Sequence, residues 1–532
     1  MLRRARGCAK LPGRMRERAG RWELLAVAAL TALAAVLRVA AADQSLLGDE
    51  LFTYEAVREP TLQTVVDFVR SPLEISPPLF FVGSWLTADL ADPTTWLRAP
   101  SVGAGILVVP AAWAVGRRTV GGRAGLVGAA IMTVSPYAVF FSVEARPYAL
   151  AMLLTALSTL VLLTALERGR WPWWLLLGIT VAAAMYTHYV VVFVVAVQAA
   201  WALWVHRDRW LGVVASTALA LALYVPWLPA VLDDRRSPYQ EAIGRVWPLD
   251  LRYAGTALGE WVTGTPLSPL LDLPGPTGLA LLGAALLAAA GGAVWFLWPG
   301  PPQRVVALPW RPWQPRGRPR LTGPAAGPGR AGTPVLVVLL AAAAPVGALA
   351  WSLVAASIYV PRSFAPSLPF LCLALGALVV WLRPPTGAIA AVALIAALAV
   401  GTALELGPQR RTPYDQAAAF IDARAGARDP VLEQGLFDPG MLEAQLDRPR
   451  AVYKNDCPEP ARAAGDVLRG RVRCARQRGG RRRAIAAARG GQLFVITAAG
   501  RRPVAIPLNL VEERAFEGAQ GLVVFRYRAR GG

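Results

Sequence analysis

Residues 24–42, LLAVAALTALAAVLRVAAA, form an apolar run that carries a charge only at Arg38. A run of this length is about long enough to cross a bilayer as a helix. Residues 1–22 hold seven Arg and one Lys, which favours a cytoplasmic N-terminus. The small residues at 40–42 also fit a signal-peptide cleavage site, but so long an apolar core is more typical of an uncleaved anchor. The run therefore predicts a first membrane span.

The composition of the whole chain points the same way. Of 532 residues, 55% are hydrophobic and 17% charged, and the mean hydropathy is +0.42, which excludes an ordinary soluble protein. The net charge of +21 would suggest a nucleic-acid partner in a soluble protein, but here the positive residues collect in particular loops. Four cysteines without a CxxC pair exclude a disulfide-dense scaffold, and two histidines leave little material for a His-built metal centre.

Further apolar segments follow along the chain, and with the first they predict about eleven transmembrane helices. An odd number of spans places the C-terminus outside. The further segments are 97–116, 121–142, 147–166, 172–187, 189–205, 210–230, 276–298, 334–357, 364–382 and 386–404.

The charges of the connecting loops agree with this topology. Loops on the predicted inner side are net positive, and the loop 299–333 has six Arg and no acid. On the predicted outer side, 43–76 holds seven acids against two Arg, and 231–275 holds six acids against four Arg. This asymmetry is the positive-inside pattern of membrane proteins. The short apolar run 77–91 is interpreted as a helix that lies at the outer interface or re-enters from it.

The pattern divides the chain into three parts. Residues 1–22 are a basic cytoplasmic N-terminus, and 23–404 are a transmembrane domain with a first extracytoplasmic loop at 43–96 and a Pro/Arg-rich cytoplasmic loop at 299–333. Residues 405–532 are predicted to form a small extracytoplasmic α/β domain. Its elements are a helix over 414–425 and strands over 431–433, 493–497 and 522–527. Cys457 and Cys474 in this domain either pair in an oxidising compartment or remain separate thiols.

The strongest local signal for chemistry is Gly48-Asp49-Glu50, a few residues beyond the first span. A carboxylate at the outer membrane surface can act as a general base for a hydroxyl nucleophile. An adjacent second carboxylate can orient the first or hold a divalent cation, so Asp49 and Glu50 are candidate ligands for Mg or Mn. The alternative is structural, because acids at the start of a helix stabilise its N-terminus.

Other unusual polar residues fall on the same predicted side. Ionisable groups that border apolar segments are costly and by default mark a functional site. Each also has a structural alternative: Arg146 pairing with Glu144, His188 as a satisfied interfacial histidine, and Arg362 reaching to lipid headgroups. The candidate substrate or phosphate contacts are Glu144, Arg146, Tyr148, His188, Tyr189, Tyr359 and Arg362. Carboxylates together with Arg, His and Tyr donors suit a reaction in which a hydroxyl attacks while a phosphate leaves.

Taken in order, five short motifs over about 45–380 resemble the motif series of the GT-C membrane glycosyltransferases. The most similar group is that of the bacterial protein-mannosyltransferases and aminoarabinose transferases, although Ser76 stands where that family often has His. The motifs are LGDELFTY at 47–54, SPPLF at 76–80, EARPYAL at 144–150, YTHY at 186–189 and YVPRS at 359–363.

This resemblance implies a GT-C fold and an inverting transferase that uses a polyprenyl-monophosphate sugar, with mannose or a related hexose as the leading donor sugar. It implies that Asp49 is the general base with Glu50 beside it, and that Arg146, His188 and Arg362 contact phosphate or substrate. Pro77 and Pro78 would shape the helix at the outer surface. The acceptor would be a hydroxyl on a lipid, glycan or protein at the outer face of the cytoplasmic membrane, and no nucleic-acid partner is expected.

Two other classes of function remain open from the residues. A transporter or flippase for a lipid-linked saccharide would also have many spans and sparse charges, but such proteins tend to place charges near the midplane and to show paired broken helices. A non-catalytic scaffold that presents the outer domain to cell-wall partners would tolerate replacement of Asp49, Arg146 and His188.

Overall fold

The structure is a computed structural model of the 532-residue chain. It describes residues 13–46, 48–71, 74–90, 93–234, 249–264, 332–382, 385–406, 411–434, 441–448, 450–454, 479–488, 490–518 and 521–528. The predicted span 276–298, most of the loop 299–333, Leu47 and the cysteines 457 and 474 lie outside the described residues.

Helices make up most of the described chain up to residue 406, and a small sheet with three helices follows. The helices before the sheet region are α1 (Gly13–Ala42), α2 (Glu50–Val57), α3 (Leu62–Val69), α4 (Leu79–Ala88), α5 (Pro93–Trp96), α6 (Ala99–Thr119), α7 (Gly122–Val134), α8 (Pro136–Val143), α9 (Tyr148–Arg168), α10 (Trp171–Met185), α11 (Val191–Val205), α12 (Trp210–Tyr224), α13 (Leu228–Asp234), α14 (Leu251–Thr263), α15 (Thr333–Ser352), α16 (Leu368–Trp381) and α17 (Thr386–Glu405). Three 3-10 turns, Arg207–Arg209, Val225–Trp227 and Pro361–Ser367, precede α12, α13 and α16.

The predicted spans inside the described ranges correspond to apolar helices. Seven helical segments there are long and apolar enough to cross a membrane, and α7 with α8 forms a bent pair that is either one broken span or a re-entrant loop. The shorter apolar helices α10 and α11 stand where the sequence predicts spans at 172–187 and 189–205. Large apolar side chains such as Leu25, Val36, Ile389 and Val392 are exposed on α1 and α17, as expected where a helix faces lipid. The chain is a multi-pass membrane protein.

The helices α7 and α8 meet at a bend of 56°, and Arg38, the one charged residue of the first span, binds the backbone at this bend. Pro136 begins α8 and has no N–H to donate, so carbonyls at the end of α7 lose their helical partners. The buried guanidinium of Arg38 donates to the carbonyl oxygens of Met132 and Thr133, each at 3.2 Å, and the Thr402 hydroxyl donates to the following carbonyl at 2.7 Å. Arg38 thus stabilises a helix break that places the end of α8 near the predicted site.

The short helices α2 to α5 lie between the first two long spans, in the loop predicted at 43–96. Within the predicted run 77–91, residues Leu79–Ala88 form the ten-residue helix α4, in agreement with the prediction of a short helix rather than a crossing. Its first N–H, on Leu79, donates to the carbonyl oxygen of Tyr186 at 3.0 Å, which ties the 43–96 loop to the turn between α10 and α11.

The C-terminal region folds around a five-stranded sheet. Its elements are α18 (Tyr414–Arg424), β1 (Val431–Gln434), α19 (Met441–Gln445), β2 (Val452–Lys454), α20 (Gly480–Ala487), β3 (Gln492–Ala498), β4 (Asn509–Phe516) and β5 (Leu522–Arg528). The strand order is β2-β1-β3-β5-β4; β1 and β3 are parallel neighbours, and β3, β5 and β4 pair antiparallel. The predicted helix and three predicted strands are confirmed, whereas β2 and β4 were not predicted.

One hydrophobic core joins this sheet region to the 43–96 loop. Leu51 and Val57 of α2 belong to the same buried cluster as Ile421 of α18, Met441 of α19 and Phe494 of β3. Because a continuous apolar core requires direct packing, the C-terminal region and the 43–96 loop lie on the same side of the membrane-spanning helices.

Candidate active site

The predicted site residues come together where α2, α9, α11 and the Pro361–Ser367 turn meet. Arg362 forms an ion pair with Asp49. The ring of His188 lies 5.6 Å from that of Tyr148, centroid to centroid. The hydroxyl of Thr53, on α2, donates to the carbonyl oxygen of Ala145 at 2.7 Å, which holds the 144–147 loop against α2. Motifs separated by hundreds of residues in sequence therefore share one location.

A cavity of about 470 Å³ opens at this location. Most of its wall is apolar, and five of the residues that supply its polar groups were predicted as site residues. They are Arg146, Tyr148, His188, Tyr189 and Arg362. Ser76, which stands where the similar family often has His, also lines the cavity. The combination of cationic groups with a long apolar wall suits a ligand that has an anionic head and a hydrocarbon body.

Asp49 is the N-cap of α2, and its side chain is 43% exposed. Its carboxylate accepts a charge-assisted hydrogen bond from Arg362, whose side chain is 24% exposed and lines the cavity. The carboxylate of Asp49 is thus accessible to solvent, and Arg362, a residue of the cavity wall, holds it beside the cavity. These are the properties expected of a base that must meet an incoming hydroxyl.

Glu50 is in a different environment, although it is the next residue. It is fully buried, and its carboxylate receives Arg98 on both oxygens at 2.8 Å, the Ala145 N–H at 2.7 Å and Arg411 at 2.6 Å. Burial alone would raise the pKa of Glu50, but the charges of Arg98 and Arg411, with the hydrogen bonds from Arg98 and Ala145, lower it to about 2. The structure thus revises the sequence-based grouping of the two acids, because Glu50 is an internal ion-pair partner and is not among the residues that line the cavity.

Arg146 is paired, but not with Glu144. Its guanidinium binds Glu74 through two hydrogen bonds of 2.7 and 3.0 Å, and a third of 3.3 Å reaches the Ser76 hydroxyl. It also lies 5.5 Å from the ring of Phe81. Although burial alone would lower the pKa of Arg146, the Glu74 carboxylate raises it well above the usual value. The alternative that Arg146 neutralises Glu144 is wrong for this structure.

Glu144 is a buried acid between α8 and α9. One of its carboxyl oxygens has no hydrogen-bond partner within the described part of the chain. Burial, followed by the negative charges of Asp49 and Glu50, raises its pKa to about 8. Glu144 is therefore mostly protonated at neutral pH, and it does not add a second charge beside Asp49.

His188 sits in the turn between α10 and α11. Burial, together with the positive charges of Arg146 and Arg362, lowers its pKa to about 3, so the imidazole is neutral at physiological pH. Its Nδ1 accepts a hydrogen bond from the Val190 N–H at 3.2 Å, which leaves Nε2 as the N–H donor. A neutral N–H donor in the cavity wall suits an uncharged polar group of a ligand better than a further positive charge beside Arg146 and Arg362 would.

The remaining predicted residues have supporting positions. Pro77 and Pro78 are buried, and Pro78 is the N-cap of α4. Tyr359 is buried with its ring 4.8 Å from that of Phe364. Tyr189 lines the cavity, and its hydroxyl donates to the carboxylate of Asp234.

Sequence reasoning missed four charged residues that complete the site: Glu74, Arg98, Asp234 and Arg411. Glu74 stands two residues before the SPPLF motif, so its position next to a motif was an available signal. Asp234 lines the cavity, and one of its oxygens has no hydrogen-bond partner among the described residues. The partners of Arg98 and Arg411 lie 48 and 361 residues away, and no local pattern reveals such contacts.

The candidate metal ligands do not form a ligand set in this geometry. No group of three or more His, Cys, Asp or Glu side chains is arranged to hold a metal ion within the described ranges. Asp49 and Glu50, the two predicted ligands, are each bound by arginine. The donor set present therefore fits ion pairs better than a divalent cation, which prefers several carboxylate and carbonyl oxygens.

Comparisons with known proteins agree with the fold. Residues 76–229 match the family model described as dolichyl-phosphate-mannose-protein mannosyltransferase. The crystal structure of ArnT from Cupriavidus metallidurans in the apo state is similar to this chain, with a TM-score of 0.56 at 14% sequence identity, and the match covers 95% of this chain and 98% of that one. The structure of ArnT bound to undecaprenyl phosphate gives a TM-score of 0.54 at 14% identity with the same coverage. A search of curated proteins finds no match.

The structural matches show that the chain has the GT-C membrane fold, and the family match covers 76–229, less than a third of the chain. The predicted fold class, a polytopic helical GT-C protein with a small C-terminal sheet domain, is confirmed. The family match agrees with the resemblance seen in the sequence motifs.

Proposed function

We propose that the chain is an inverting glycosyltransferase that moves a sugar, with mannose or a related hexose as the leading donor sugar, from a polyprenyl-monophosphate carrier to a hydroxyl acceptor. The observation that carries the proposal is the cavity of about 470 Å³, in which Arg362 is ion-paired with Asp49 beside an extended apolar wall. The matched family model names a dolichyl-phosphate sugar, and one protein with a similar fold was crystallised with undecaprenyl phosphate.

The cavity supports a lipid-linked donor because its two kinds of wall match the two parts of such a molecule. Arg362 and the neutral His188 provide donors for a phosphate. Apolar side chains on α11, α13 and α15, including Phe193, Val231 and Trp351, provide a surface for the hydrocarbon next to the phosphate. Arg146 serves this site mainly as a fixed element, because Glu74 and Ser76 already occupy its two terminal nitrogens.

The ion pair between Arg362 and Asp49 suggests how the donor prepares the site. A phosphate that enters the cavity competes with Asp49 for the Arg362 guanidinium, and a bidentate phosphate contact is strong. Asp49 then accepts the proton of the acceptor hydroxyl as the hydroxyl oxygen forms a bond to C1 of the sugar. The bond between C1 and the phosphate oxygen breaks, and the polyprenyl monophosphate leaves with the electron pair, stabilised by Arg362.

We place this chemistry on the outer face of the cytoplasmic membrane, with the C-terminal domain on the same side. The charge asymmetry of the loops supports this orientation. The core shared by the 43–96 loop and the C-terminal sheet links the two on one side. The acceptor is then an extracytoplasmic hydroxyl on a lipid, a glycan or a protein.

The proposed reaction needs no resident divalent cation, since Asp49 and Arg362 supply the base and the phosphate contact. We expect transfer by the purified protein to persist in excess EDTA, within about twofold of the untreated rate. Activity lost in EDTA and restored by Mg or Mn, but not by Ca, would contradict this and would return Asp49 to the role of metal ligand.

A transfer assay tests the proposed function. Membranes with the wild-type chain, or with the Asp49→Asn variant at equal abundance, are supplied with radiolabelled polyprenyl-phosphate-mannose and then polyprenyl-phosphate-glucose, and label is followed into lipid, protein and polymer fractions. We expect label to move only with the wild type, and the labelled fraction gives the acceptor class. If neither donor is consumed while the protein carries the intact lipid across proteoliposome membranes, the chain is a lipid-linked saccharide flippase instead.

A further inference from the structure

Arg411 links the C-terminal region to the loop that carries Asp49. It stands just before α18, and its side chain is 5% exposed. Its Nη1 donates to the Ser45 carbonyl oxygen at 2.9 Å and to Glu50 Oε2 at 2.6 Å. A second contact reinforces the link, since the backbone N–H of Asp415 donates to the Ser45 hydroxyl at 3.1 Å.

Arg98 also binds the segment 42–45. It donates to both carboxyl oxygens of Glu50 at 2.8 Å and to the carbonyl oxygens of Ala42 and Gln44, each at 2.7 Å. Arg98 and Arg411 thus hold the backbone of 42–45 and the carboxylate of Glu50 as one unit. Because these groups are buried and charged, their geometry is narrowly defined.

Glu50 connects this fixed segment to the loop that carries the site residues Glu144 and Arg146. Its carboxylate also receives the Ala145 N–H at 2.7 Å, and Ala145 lies between Glu144 and Arg146. Glu50 therefore ties the turn that bears Asp49 to the loop that bears Arg146. Glu50, Arg98, Ala145 and Arg411 are not among the residues that line the cavity.

We propose that Arg411 is a positioning residue for the transfer reaction, acting through Glu50 to hold Asp49 in place against Arg146 and Arg362. This inference rests on the proposed function, and it gives the C-terminal region a part in catalysis, because that region supplies one of the two arginines that hold Glu50 beside the base. A displacement of about 1 Å at a reacting group can cost roughly 100-fold in rate. A positioning residue therefore acts on kcat, whereas donor affinity depends on Arg362 and the cavity wall.

The test uses the full-length protein in nanodiscs with the variants Arg411→Gln, Arg411→Lys and Glu50→Gln. The matched control is Arg424→Gln, which removes an arginine of the same region that pairs with Glu512 on the sheet and stacks on Phe420. We expect Arg411→Gln and Glu50→Gln to lower kcat roughly 10- to 100-fold with the donor KM within about twofold. Arg411→Lys, which keeps the charge, is expected to recover part of the loss, and Arg424→Gln to change neither constant.

A readout without turnover separates this inference from the proposed function. Amide hydrogen exchange of peptides covering 48–57 and 142–150 is expected to rise several-fold in Arg411→Gln and to stay unchanged in Arg424→Gln. If the wild type shows no transfer, the proposed function fails while the exchange data still test the coupling. Unchanged kcat with unchanged exchange overturns the role of Arg411. A uniform loss of thermal stability, with kcat and KM altered together and no recovery by lysine, also overturns it, because Arg411 would then be a general structural residue.

Discussion

The Asp49→Asn variant is expected to lose roughly 10³-fold in kcat, the range typical for removal of a general base. Asparagine keeps the size and the N-cap position of Asp49 but cannot take the proton of the acceptor. The donor KM is expected to stay the same or to fall, because Arg362 no longer has a carboxylate competing with the donor phosphate. The measurement is steady-state transfer at varied donor concentration with purified protein.

The control for this variant is Asp43→Asn, which removes an exposed acid six residues away on the same loop. It is expected to leave kcat and KM unchanged. Retained turnover in Asp49→Asn would remove Asp49 from the role of base. A similar loss in Asp43→Asn would mean that the general negative charge of the outer loop, rather than a positioned base, supports the reaction.

The Arg362→Ala variant is expected to weaken binding of a polyprenyl monophosphate about 30-fold, or roughly 2 kcal/mol, since a charge-assisted contact to the phosphate is lost. Transfer is expected to fall further than binding, because Arg362 also stabilises the leaving phosphate. Arg362→Lys should recover part of the affinity but not the geometry of a planar, bidentate donor. Binding can be measured by fluorescence quenching or calorimetry on the protein in nanodiscs.

Arg123→Ala is the matched control, since Arg123 is exposed at the start of α7, at the other end of the bent α7 and α8 pair. Unaltered lipid-phosphate affinity in Arg362→Ala would reassign the phosphate contact to Arg146 and His188. The ion pair with Asp49 would then serve only to hold the two segments together.

The sequence predicts the membrane architecture well because hydropathy and loop charge are local signals. The helices 24–42, 97–116 and 386–404 are long apolar runs, and the bilayer demands such runs wherever a chain crosses it. The edge strand β4 was missed because its exposed pattern, with Glu512, Glu513 and Arg514 in sequence, has no apolar alternation.

Motif order allowed the site to be placed, but not the partners of each charge. Asp49 and Glu50 are adjacent and chemically alike, yet one lies beside a cavity and the other is buried between two arginines. Contacts with Arg98 and Arg411 determine that Glu50 is the buried acid. These arginines lie 48 and 361 residues away in the chain, and a single sequence carries no sign of contacts over such distances. For the same reason the structural alternative for Arg146 named its neighbour Glu144 as the partner and not Glu74.

The most direct test of the account is a cryo-EM structure of the full-length protein in nanodiscs with undecaprenyl phosphate bound. We predict that the phosphate lies in the cavity within about 3 Å of the Arg362 guanidinium, that the ion pair between Arg362 and Asp49 is broken or shared, and that Glu50 keeps its contacts with Arg98 and Arg411. A phosphate bound elsewhere, with Arg362 still fully engaged by Asp49, would contradict the proposed role of the donor in releasing the base.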